Sequence, residues 1–141
     1  MSQVAKDLRT FLGADATIAT LVGAAPNGRI HQNHVPQDKA FPFVWYAQSG
    51  LLDGDVLAEA AGSAPYGREF DVECVSDDVD KAVDLAEAVR NRLRNFRGVI
   101  ASTREVQAIF CDEHSEDYVP RGNEGDIGLH VESLRATVIP R

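Results

Sequence analysis

Between Arg68 and Phe96 the chain changes its hydrophobic period once, and that change limits what it can fold into. In REFDVECVS, Phe70, Val72 and Cys74 alternate with Glu69, Asp71 and Glu73, the period-two pattern of a half-buried strand. From Val79 onward, Val79, Ala82, Val83, Ala86, Val89, Leu93 and Phe96 recur at steps of three and four, the stripe of an amphipathic helix. Ser76 or Asp77 can cap its start, and Asp77, Asp78 and Asp80 complement the positive end of the helix dipole. Arg90, Arg92, Arg94 and Arg97 gather at the other end, where the dipole favours cations, and Gly98 is expected to stop the helix. A strand with one apolar face leading into a helix with one apolar stripe requires the two to pack against each other. The remaining segments must complete that sheet and cover that core.

Val4, Leu8, Phe11 and Leu12 form a helical stripe closed by Gly13; Asp15 is placed to cap a second short helix through Ile18, Leu21 and Val22. Residues 1–23 therefore read as a helical lead-in. A turn at Pro26, Asn27 and Gly28 precedes a short strand at 29–32. The strand at 43–49 is apolar on both faces: Phe43, Trp45 and Ala47 on one, Val44 and Tyr46 on the other. Glycine-rich residues 50–67 read as a flexible hairpin arm that orders against a partner. Further strands are expected at 104–111 and 127–139, joined by a polar connection, Asp112 to Asp126. Val106, Ala108 and Phe110 share one face of the first and Gln107, Ile109 and Cys111 the other, so it too is partly apolar on both sides. In the second, apolar residues move from odd positions (Ile127, Leu129, Val131) to even ones (Leu134, Ala136, Val138), which predicts a β-bulge near Glu132–Ser133. The expected fold is one α+β domain over 1–141, a mostly antiparallel sheet with a long helix (about 77–96) and the N-terminal helices packed on one face.

The charge balance narrows function. Twenty-two acidic residues against 14 basic ones give a net charge of −8, which opposes non-specific binding to nucleic acid. The arginines of 90–97 form the one candidate basic patch, and dipole complementation explains them. No run approaches the roughly 18 apolar residues needed to cross a bilayer, and no signal-peptide core is present, so a cytosolic product without membrane partners is expected. Cys74 and Cys111 lack metal or redox spacing and read as buried small hydrophobes. His31 and His34 form H-x-x-H across a strand end and a proline-containing loop, without further ligands. Cys111 and His114 lie beside Asp112 and Glu113, acidic neighbours that raise a thiol pKa and oppose a reactive thiolate. Asp112, Glu113, Glu116 and Asp117 lack the order of a calcium loop. With no P-loop, dinucleotide fingerprint or nucleophile elbow, the expectation is a non-enzymatic protein with no catalytic residue, cofactor or metal.

Three segments, RIHQNHVPQDKAFPFVWY, GREFDVECVSDDVDKAVDLAEAVRNRL and DEHSEDYVPRGNEGDIGLHVESLRATV, carry a resemblance over nearly the whole chain from Arg29. In order and spacing they resemble the small tail completion proteins of long-tailed bacteriophages and prophages, related to tail terminators and tail-to-head joining proteins. The resemblance implies a virion protein made in the host cytoplasm that assembles as a ring, a hexamer in such families. That ring would sit on the head-proximal end of the tail tube, end tube polymerisation and present a surface to the head. The implied partners are other copies of itself, the tail tube protein and the neck or connector proteins, with DNA only passing through the channel. Interface candidates then come from the doubly apolar strands, the arm and the acidic loop: Val44, Tyr46, Leu51, Leu52, Asp53, Tyr66, Ile109, Tyr118 and Arg121. Two alternatives remain: another neck or head-completion connector, and a small metal- or ligand-binding enzyme domain using His31, His34 or Cys111.

Overall fold

A computed structural model of the chain describes residues 3–24, 28–36, 40–52, 67–100, 104–120 and 128–140. The strand-to-helix stretch folds as β3, Gly67–Ser76, leading into α3, Val79–Leu93. Phe70, Val72 and Cys74 are fully buried, and Ala82, Leu85, Ala86, Val89 and Leu93 form the stripe that packs on them. The helix is shorter than 77–96. Asp78 is the N-cap, its carboxylate accepting from the Asp80 N–H at 2.9 Å, and Arg94 is the C-cap. Asn95, at φ 59°, makes the left-handed turn that ends the helix; Asn tolerates this conformation because its short polar side chain bonds locally. Gly98 lies beyond the helix, within strand β4, Phe96–Ile100. There its φ of 130° accommodates the shift in pairing between Phe96 and Gly98. Val79 and Val83, expected in the buried stripe, are exposed.

The N-terminal lead-in forms α1, Gln3–Gly13, and α2, Ala16–Val22. Asp15 caps α2, accepting from the Thr17 and Ile18 N–H groups at 2.9 and 3.0 Å. The other strands are β1, Ile30–Gln32; β2, Phe43–Leu52; β5, Arg104–Val119; and β6, Leu129–Pro140. They form one sheet in the order β1-β2-β3-β6-β5-β4, in which β1 runs parallel to β2 and every other pair is antiparallel. The fold is thus α+β with a mostly antiparallel sheet. Of the arm at 50–67, residues 50–52 end β2 and Gly67 begins β3; 53–66 lie outside the described residues.

Two expectations about the last strands are corrected. The stretch from Asp112 to Val119 is not a connection but the second half of β5, paired with β6. The bulge is not in β6 either: its register with β3 runs unbroken from His130 to Val138, with Glu132, Leu134, Ala136 and Val138 all buried on the core face. The apolar pattern broke because a carboxylate, Glu132, occupies a core-facing position. The irregularity sits across from it in β5, between Asp112 and Ser115.

Helix α3 lies against β3, β6 and β5, and α1 contacts β1 and β4, on the face lined by Val44, Tyr46, Phe70, Val72, Leu134 and Ala136. Arg92 joins these layers: its guanidinium lies 3.9 Å above the Phe11 ring and donates to the Phe11 carbonyl at 3.2 Å. The opposite face of the sheet carries Trp45, Asp71, Glu73, Ser133 and Arg135, and no described helix covers it.

Candidate assembly surface

Exposed apolar surface falls on three elements of the described chain. Among the described residues the exposed large hydrophobics are Val79, Val83, Val99, Phe110, Tyr118 and Val119, and all lie on α3, β4 or β5. Phe110 is 48% exposed and Tyr118 53%. Exposed apolar groups confined, among the side chains described, to three elements offer surface that another molecule can cover. The sheet is stepped there. Strand β4 pairs with β5 only from Arg104 to Ile109, so from Phe110 to Val119 no described strand lies on the outer side of β5. That open edge carries the exposed carboxylates Asp112, Glu116 and Asp117, side chains of the kind that discourage indiscriminate edge pairing.

Where β5 is irregular, His114 bonds through Nε2 to the carboxylate of Glu132. Glu132 is only 3% exposed, and Glu116 completes a group whose ligand atoms lie within 4.8 Å of one another. Of the described residues these three have the donor set to hold a cation, and neither the H-x-x-H pair nor the acidic run contained this combination. Its physical role in the fold is plain: a buried carboxylate needs a charge-assisted partner, and the shift in β5 supplies one. Glu73, on the uncovered face, is held above the usual carboxylate range by burial first and then by the charges of Asp71 and Asp117.

The other chemical candidates are disarmed by their surroundings. His31 is half-buried against Phe43, with ring centroids 5.7 Å apart, and its Nε2 has no hydrogen-bond partner. Its pKa is lowered by burial and by the neighbouring charges of Arg9, Arg29 and His34, a positive setting that repels a metal cation. Cys74 is completely buried, and its thiol is pushed far up chiefly by that burial. Burial also leads the upward shift of Cys111, ahead of its charged neighbours.

The expected interface residues divide sharply. Val44, Tyr46 and Ile109 are fully buried in the chain's own core and present nothing to a neighbour. The second apolar face of β2 meets α1, where the Tyr46 hydroxyl donates to the Ala5 carbonyl. Leu51 and Leu52 lie at the end of β2, paired with Arg68 and Gly67. Asp53, Tyr66 and Arg121 lie outside the described residues. Tyr118 is exposed, its ring 5.1 Å from that of His130 and laid so closely over Gly128 that a Cβ there would collide with it. Phe110 escaped sequence reasoning because Val106, Ala108 and Phe110 share a period-two face. A register shift between Val106 and Ala108 breaks that phase, so Val106 and Ile109 turn inward and Phe110 turns out.

The fold can be set beside known proteins. A chain in a solved structure described as the virion of a native gene transfer agent particle superposes with a TM-score of 0.63, covering 99% of this chain and 100% of that one. Its sequence identity is 16%, so the likeness is one of fold. No curated protein matches the chain in sequence. The family model described as tail completion protein gp17 matches residues 6–131, from the first turn of α1 into β6. The chain belongs to the tail completion protein gp17 family, and with it to the structural proteins of phage tail assembly.

Proposed function

We propose that the protein is a non-enzymatic assembly factor that closes into a ring on the head-proximal end of the tail tube, stops tube polymerisation and joins tail to head. Its partners are further copies of itself, in a hexamer, then the tail tube protein below and the neck or connector proteins above. The observation that carries this reading is that the exposed large apolar side chains described lie on α3, β4 and β5, in a chain of this family. A head-to-tail contact closes a ring when its rotation closes, and it uses two different patches on each subunit. The net charge of −8 suits a channel through which DNA passes without adhering, because carboxylates repel phosphates. Adding the purified protein to polymerising tail tube protein tests the reading. Tubes capped at one end and halted in growth are expected. Tubes that lengthen at an unchanged rate, without caps in electron micrographs, would contradict it.

A further inference from the structure

We propose that neighbouring copies join by pairing the open edge of β2 in one subunit, antiparallel, with the open edge of β5 in the next, so that one sheet runs across the contact. This rests on the ring reading and names the two patches that it needs. Both ends of the sheet are stepped. Strand β1 covers β2 only from Val44 to Tyr46, with one more bond from the Asn33 N–H to the Tyr46 carbonyl. From Ala47 to Leu52 no described strand lies on the outer side of β2, although β3 pairs its inner side throughout. Strand β5 has the corresponding ledge from Phe110 to Val119. Backbone N–H and C=O groups along such ledges face no described strand and can pair with that of another copy.

Strand β1 is not itself the pairing edge, because its outward groups are occupied within the chain. The Ile30 N–H donates to the Gly28 carbonyl, the Ile30 carbonyl accepts from Arg9, and the Gln32 carbonyl accepts from the His34 N–H. Geometry then fixes the direction. A β2 ledge laid antiparallel along β5 puts Leu52 toward β4 and carries β1 past the Val119 end, so the two steps interlock. A parallel arrangement would drive β1 and the start of β2 into β4. Charge rules out the symmetric alternative. The β5 ledge bears Asp112, Glu116 and Asp117, so two such ledges repel each other. The β2 ledge, Ala47 to Leu52, bears no charged side chain of its own and is bordered on β3 by Arg68, which reaches Gln48 at 3.3 Å, as well as by Glu69 and Asp71. A second copy offering its β2 edge is therefore the occupant that the β5 ledge fits.

Two exposed positions on the same, helix-bearing face of the sheet test this, Gln48→Cys on β2, paired with Phe70, and Glu116→Cys on β5, paired with Glu132, treated with a short bis-maleimide in the full-length protein; the native Cys74 and Cys111 are buried. Co-expressed single variants are expected to cross-link to each other, each alone is not, and the double variant should give a ladder of covalent oligomers. Cross-linking of either single variant with itself would overturn the proposal. Electron micrographs of the same samples separate it from the ring reading. Rings without the mixed cross-link would overturn the edge pairing alone. The mixed cross-link in open chains would support the pairing and count against closure, and absence of both rings and cross-links would overturn both.

Discussion

Glu132 shows how one residue can obscure a strand. Its neighbours on the core face, Leu134, Ala136 and Val138, are apolar, and its own burial is sustained by His114 from the irregular part of β5. Removing that partner leaves a buried carboxylate with a lost hydrogen bond, so His114→Ala should cost about 1–3 kcal/mol, seen as a lower thermal unfolding midpoint. Glu132→Leu, which removes both the charge and its need for a partner, should cost less. Glu73 makes a pH prediction of definite sign. Its folded-state pKa is raised, so the folded state holds its proton more tightly than the unfolded chain does. The penalty from ionising it is absent below the ordinary carboxylate range, grows as pH rises toward the folded pKa, and stays above it. Glu73→Gln should therefore raise the unfolding midpoint at neutral pH, with the gain disappearing as pH falls below that range. A gain that grew with acidity would contradict this burial account.

At the scale of elements, what was legible in the sequence followed from periodicity and capping. The stripe of α3 from Ala82 to Leu93, the Asp15 cap of α2 and the alternation of β3 needed only local information and formed as expected, whereas Val79 and Val83 at the helix start are exposed. Val89→Asp should abolish cooperative folding, because an unpaired buried carboxylate costs several kcal/mol, comparable with the whole stability of a domain. Asp78→Ala removes the observed N-cap and should cost about 1 kcal/mol; Asp77→Ala should cost less, which a denaturant titration would resolve. Strand β4 was hidden because Phe96 continues the helical spacing and Gly98 looks like a stop signal. Only tertiary pairing with β5 makes Phe96–Ile100 a strand. The second half of β5 was hidden by its acidic composition, which reads as a loop until β6 supplies a ladder.

For the whole molecule, the sequence resemblance reached the family while the surface itself stayed largely out of sight. Apolarity on both sides of a strand suggested surface for a partner. In β2 it is used within the chain instead, with Val44 and Tyr46 in the core and Phe43 buried on the other side against Phe41 and His31. The exposed apolar residues emerge from register shifts, from the early end of α3 and from the step between β4 and β5, none of which a local pattern encodes. The central claim is that the β4–β5 side of the sheet drives assembly rather than folding. Phe110 and Tyr118 make that separable, because both are exposed in the single chain. Sedimentation velocity on the purified protein and on the Phe110→Lys/Tyr118→Lys variant, with thermal unfolding of both, is the most direct test. The account predicts one discrete ring-sized species for the unaltered protein and a folded monomer for the variant; rings of equal size and abundance from both would contradict it.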